Sequence, residues 1–148
     1  MDKYLCYAVI LSAFLVIGCS STKSVALNGK WSLETINEKA VSKSDQIPYI
    51  EINISDKRIG GYDGCNNIGG DLIIGKHDEI TFDKMISTMR FCHDQGENAM
   101  LGKVLESVRR YEIITAKDNN KTLLLFDENN IKTIILKWQE SNKSTKIQ

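Results

Sequence analysis

Residues 49–54 read Tyr-Ile-Glu-Ile-Asn-Ile, polar and apolar in strict alternation, and stop at Ser55-Asp56-Lys57. A two-residue period places the three isoleucines on one face, the pattern of a half-buried β-strand ending in a turn. The same alternation recurs at Lys30–Ile36. Arg58–Tyr62 returns as the second arm of a hairpin, and Asp71–Ile74 pairs with Glu79–Phe82 around Gly75-Lys76-His77-Asp78. Tyr111–Ile114, Thr122–Phe126 and Ile131–Trp138 are three further strand-like runs, separated by Asp- and Asn-rich turns. Only one segment changes period. Asp94 and Glu97 make a capping-box-like start, after which Leu101, Val104, Leu105 and Val108 line one helical face, with Glu106 and Arg110 as a supporting pair. The fold class expected is mainly β (α+β), with one helix covering the core.

Length and charge narrow the function without naming it. A chain of 148 residues has room for one domain with a real core. Nineteen basic residues balance nineteen acidic ones, so no net charge points to nucleic acid or to an acidic substrate. No internal repeat or long linker is visible.

The N-terminus follows a different logic. After Met-Asp-Lys-Tyr comes an apolar run from Leu5 to Gly18 of about 14 residues, too short to span a bilayer but fit for a signal-peptide core. Its end, Val16-Ile17-Gly18-Cys19, resembles a bacterial lipobox, in which the cysteine is acylated and becomes the first mature residue. The organisation expected is a signal peptide at 1–18, a lipidated Cys19 and tether at 19–26, a folded domain at 27–138 and a polar tail at 139–148. Ser20 stands where an aspartate would favour inner-membrane retention, so the outer membrane is the expected location. The alternative is a buried N-terminal helix.

Of four cysteines, Cys6 leaves with the signal peptide and Cys19 carries lipid. Cys65 and Cys92 remain, in an oxidising compartment where paired thiols become disulfides. Closing a loop of about 27 residues should stabilise the fold by roughly 3.5 kcal/mol on the chain-entropy model. The rival is two free, buried thiols acting as small hydrophobes. Cys65 sits in Gly60–Asp71, GGYDGCNNIGGD, and is expected to anchor a glycine-rich turn to a strand-like segment ending at Cys92. Asn66 and Asn67 are expected to serve left-handed turn conformations there.

Other chemistries fit poorly. Gly70–His77 nearly spells a phosphate-binding loop, but His77 replaces the required Ser or Thr and DLII is strand-like. A zinc site from Cys65, Cys92, His77 and His93 lacks paired spacing. The adjacent Cys92, His93 and Asp94 do not make a triad, which is assembled in space. No catalytic residue, metal or cofactor is expected.

Leu27-x-Gly29-x-Trp31, Gly64-Cys65-Asn66 with Gly69-Gly70, Ser87-Thr88-Met89 before Cys92, and Val108–Ile113 occur in that order. Together they resemble the META/HslJ family of small envelope and secreted proteins, over nearly all of the chain after the tether. The resemblance implies an antiparallel β-barrel-like domain with one packed helix, a link to heat shock and envelope stress, and no catalytic residues to carry over. Glu38 stands where family members often have glycine, so the turn after Ile36-Asn37 is expected to differ in type. Trp31 and Tyr111 read as core aromatics, the alternative being that they line a ligand cavity. The expected function is a non-catalytic, monomeric lipoprotein, anchored to the membrane by its N-terminal lipid and meeting an envelope protein partner. The alternative is a carrier of a small apolar or lipid ligand, which would need an unfilled barrel. An enzyme would need converging polar groups in a cleft.

Overall fold

The protein was analysed as a computed structural model, which describes residues 22–41, 46–92 and 96–140. The apolar leader, Cys19, His93 and Asp94 lie outside the described residues. One turn of helix, α1 (Thr22–Val25), leads into β1 (Gly29–Ile36), which pairs with the short β2 (Lys39–Ala40). A meander follows: β3 (Tyr49–Asn53), β4 (Arg58–Tyr62), β5 (Asn67–Ile74) and β6 (Ile80–Ser87). A 3₁₀ turn (Gly96–Met100) and α2 (Leu101–Ser107) connect it to a second meander: β7 (Val108–Thr115), β8 (Lys121–Asp127) and β9 (Lys132–Trp138).

β1 joins the two halves. It pairs antiparallel with β3 on one side and β9 on the other, giving a single antiparallel sheet in the order β6-β5-β4-β3-β1-β9-β8-β7. The sheet curls until its two ends meet at an antiparallel bridge between Glu79 and Arg110. The mainly β class with one packed helix expected from the alternation is therefore what the chain forms.

Bulges set which side chains point inward. On β1, Leu33 and Ile36 are both buried although three residues apart, because the register shifts between Leu33 and Thr35. An extra residue on one strand resets the in–out parity. The same device serves β7, where a shift between Val108 and Arg110 lets Val108 and Tyr111 both face the core.

The interior is filled by side chains. Trp31, Phe82, Ile50, Leu123, Leu125 and Leu136 are all at most 1% exposed. Trp31 donates its indole N–H to the Leu27 carbonyl at 2.8 Å and meets Trp138 edge-on, with ring centroids 5.0 Å apart. Gly29 belongs to this end of the barrel: its φ is +130°, and a Cβ there would collide with the Trp138 indole. At Gly61 a Cβ would strike the Tyr49 carbonyl across the ladder, so strands β3 and β4 require glycine to pair closely.

Four expectations need correction. The glycine-rich stretch is not one pliable turn: Gly60 and Gly61 belong to β4, Gly69 and Gly70 to β5, and only residues 63–66 turn the chain. The pairing of those glycines across the β4–β5 ladder stabilises extended backbone in spite of their freedom. Val108 is not helical; its φ of −67° and ψ of 137° end α2 and open β7. Arg110 consequently lies on a strand, loses the helical spacing from Glu106, and pairs with Asp78 instead. Glu97 falls in the 3₁₀ turn, so α2 itself starts later, at Leu101. α2 still covers the core as expected, burying Leu101, Val104 and Leu105.

The β1–β2 hairpin carries a local strain. Asn37 and Glu38 are its two loop residues, with φ of 47° and 66°. Two positive φ values make a type I′ turn, whose second position favours glycine. Glu38→Gly is therefore expected to stabilise the fold by about 1 kcal/mol, the usual cost of a left-handed non-glycine residue, less the entropy that glycine adds to the unfolded chain. Urea unfolding midpoints test this, and a lower midpoint for the variant would refute it.

Candidate functional site

Besides the exposed ion pairs of Asp71 with Arg58 and Lys84, two places among the described residues set polar side chains against buried groups. The first is the loop around Cys65, which is joined to Cys92 with Cα atoms 6.0 Å apart, inside the range for unstrained bridges. Cys65 is 1% exposed. The buried Asp63 carboxylate accepts from the N–H groups of Cys65 at 2.8 Å and Asn66 at 2.6 Å, fixing the turn. The Asn66 side-chain oxygen then accepts from the Arg90 N–H at 2.7 Å and from the Thr88 hydroxyl at 3.1 Å. Neither Asn66 nor Asn67 has positive φ, contrary to expectation. Asn66 acts instead as a bridge to the segment before Cys92, and Asn67 is the first residue of β5. Cys92 lies beyond the end of β6 at Ser87 rather than at a strand end. The site is structural: a buried, bonded sulfur is no nucleophile.

The second place is the seam where the sheet closes. A surface cleft of about 580 Å³ opens there, walled by Ala26, Asp78, Arg110, Tyr111, Glu112 and Ile113. Consecutive residues of one strand cannot share a face, so a cleft lined by 110 to 113 looks onto the edge of β7 and its main chain. Arg110 is held from three sides: an ion pair with Asp78 at 3.1 Å, a hydrogen bond from its Nε to the Asn130 side chain at 2.9 Å, and stacking on Phe126 at 4.0 Å. The pair is partly exposed, so it positions more than it stabilises.

Tyr111 is the unusual member. It is 3% exposed and packs in the core as expected, yet its hydroxyl has no hydrogen-bond partner among the described residues. Burial, and secondarily the charge of Asp78, raise its pKa above the ordinary tyrosine value. The phenol stays protonated at neutral pH and offers a donor rather than a base. A buried polar atom left unsatisfied costs about 1–3 kcal/mol. Nothing in the local sequence around Arg110-Tyr111 marks this cleft; the nearest signal is the run of charges Arg109, Arg110 and Glu112 on one strand.

Other candidate residues stay apart. His77 is exposed in the β5–β6 turn with φ of 57°, and His93 lies outside the described residues. Gly70–Ile74 of the phosphate-loop-like run is strand. Among the described residues no group of three or more His, Cys, Asp and Glu could hold a metal ion. Also among them, no helix is long and apolar enough to cross a membrane.

Comparison with known proteins places this geometry. The chain is similar to an NMR structure of a protein from Burkholderia xenovorans, at 17% identity and a TM-score of 0.62, covering 95% of this chain and 100% of that one. A second NMR structure is similar at 21% identity and a TM-score of 0.53, covering 75% of this chain and 89% of that one. Both likenesses concern the fold. No curated protein matches. The model of the META domain family matches residues 23–139, which take in the whole sheet, the helix and the disulfide loop; the chain belongs to the META domain family.

Proposed function

We propose that this chain is a non-catalytic binding protein of the bacterial cell envelope, held on the outer membrane by lipid on Cys19. The observation that carries this reading is the Cys65–Cys92 bridge, because such bonds persist in oxidising compartments outside the cytoplasm. The apolar run ending at Val16-Ile17-Gly18-Cys19 supports export and acylation, and Ser20 supports the outer membrane. Two or three acyl chains hold a protein stably where one does not. The family is not a known enzyme family, and the seam cleft offers hydrogen-bond donors without an activated nucleophile, which favours binding over catalysis. The protein acts as a monomer towards an envelope protein partner. A part in envelope stress is the finer form of the same reading and rests on family resemblance alone.

A lipid carrier is the less favoured reading. It requires an apolar chamber inside the barrel, whereas the interior is occupied by Trp31, Phe82 and their neighbours, and the cleft is at the surface and partly charged.

Cys19→Ser is expected to abolish labelling by a radioactive or clickable fatty acid and to move the protein out of the outer-membrane fraction. Unchanged mass and membrane location in that variant would overturn the anchor.

A further inference from the structure

The bridge between Glu79 and Arg110 lies one residue before β6 begins. From there β6 runs antiparallel to β7, back towards α2. The far half of β7, Glu112 to Thr115, therefore overhangs the end of β6 and, among the described residues, has a strand neighbour, β8, on one side only.

The direction of its main-chain groups follows from two hydrogen bonds. Tyr111 N–H points away from β8 and donates to the Asp78 carbonyl at 2.9 Å. Ala116 N–H points the other way, to the Asn120 carbonyl at 2.9 Å across the β7–β8 turn. The register between the two strands is unbroken from Arg110 to Thr115. In an antiparallel ladder the N–H and C=O of one residue share a side, and successive residues alternate. Ile113 and Thr115 thus present both groups outward, into the cleft faced by Ala26.

An open edge of this kind is a template for another strand. Three features say what would cover it. Two outward residues spaced two apart match the hydrogen-bond repeat of an extended chain, and 580 Å³ is within the usual range of about 300–1,000 Å³ for a ligand site. Tyr111 lines the same cleft, and its buried hydroxyl, without a partner among the described residues, is a donor that an incoming carbonyl could take up. Glu112 is exposed on the rim and makes no ion pair among the described residues, while Asp78 and Arg110 neutralise each other.

We propose that the β7 overhang is a strand-addition site for an extended peptide segment of a partner protein, which pairs with the main chain of Ile113 and Thr115 and brings a basic residue to Glu112. The Tyr111 hydroxyl would fix the register of the added strand. Ile113 on the inner face and the 48% exposed Ile114 on the outer face would take its apolar side chains. This rests on the binding-protein reading but not on the lipid anchor, so the Cys19→Ser result leaves it untouched.

The test is selection of a displayed library of random linear 12-residue peptides against the full-length chain with its disulfide intact. Enriched peptides are then synthesised and titrated. Basic, alternating sequences are expected, slowing amide exchange at Ile113 and Thr115 at least tenfold. Ile113→Pro, which deletes an outward N–H that the β7–β8 ladder does not use, should weaken binding at least tenfold. Glu112→Gln should weaken it severalfold with an unchanged melting temperature, and Tyr111→Phe severalfold with a melting temperature unchanged or raised, since it removes an unsatisfied buried hydroxyl. The two decide the matter should the proline variant fold poorly. The proposal is overturned by a library that yields no binders. It is equally overturned by peptides indifferent to Tyr111→Phe and Glu112→Gln, or by protection that falls elsewhere. Protection of Ile113 and Thr115 without peptide would assign the edge to the chain's own N-terminal segment, and a concentration-dependent dimer would assign it to a second copy.

Discussion

Trp31→Ala is expected to remove about 3–5 kcal/mol of folding stability, the range for truncating a buried aromatic residue. Trp31 is 0% exposed and is a large side chain at one end of the barrel, where β1, β3 and β9 come together. Three losses would combine. The interior volume of an indole is vacated, and neighbouring strands tied by ladders collapse into it only partly. The edge-on contact with Trp138 disappears, an interaction of about 0.5–1.5 kcal/mol beyond simple burial. The Leu27 carbonyl loses its donor while Leu27 itself is fully buried. Trp31→Phe separates the terms, since it keeps much of the apolar volume but not the N–H; about 1–3 kcal/mol is expected there. For a domain whose total stability is of order 5–15 kcal/mol, the alanine variant would lose about a third of it or more at mid-range and would unfold at the low end. Urea titration followed by far-UV circular dichroism measures both. A loss below about half a kcal/mol, the range of surface sites, would mean that this end of the barrel is not closed by Trp31.

Breaking the Cys65–Cys92 bond is expected to cost about 3.5 kcal/mol, from release of a loop closed over a separation of 27 residues. For a domain of this size the melting temperature should fall by roughly 10–20 °C. The fold should survive. Asp63 still caps the turn, and Asn66 still reaches Thr88 and Arg90, so the two segments remain docked through side-chain hydrogen bonds in the reduced protein. Cys65→Ser should behave like the reduced form. Alkylation under native and then reducing conditions, read by mass spectrometry, checks the premise. Buried Cys65 should take no label until reductant is added, and rapid labelling of the native protein would contradict the bond. Asn66→Ala combined with reduction should unfasten the loop altogether, and amide exchange around Thr88 and Arg90 would rise.

Local alternation was enough to find most of the strands. Ile50 and Ile52 point inward and Glu51 outward, as their spacing requires, because the side-chain period of a strand is a property of the backbone and needs no partner. The Leu101, Val104 and Leu105 face of α2 was legible for the same reason. The short β2 and α1 were not, since two and four residues are too few to display any period.

Parity and neighbours belong to the tertiary structure. Whether Val108 continues the helix or starts a strand is undecided by its spacing from Leu105, which suits either. It becomes a strand because Asp127 of β8 pairs with it and a bulge then turns Tyr111 to the core. The seam cleft depends on which strands end the sheet, and that order is set by β1 taking β3 on one side and β9 on the other. Residues 78 and 110 meet only because of that closure. Alternation in a sequence records which face of a strand is wet. It carries no record of which strand lies beside it, so the edge, and with it the open main chain of Ile113 and Thr115, existed only once the sheet had curled.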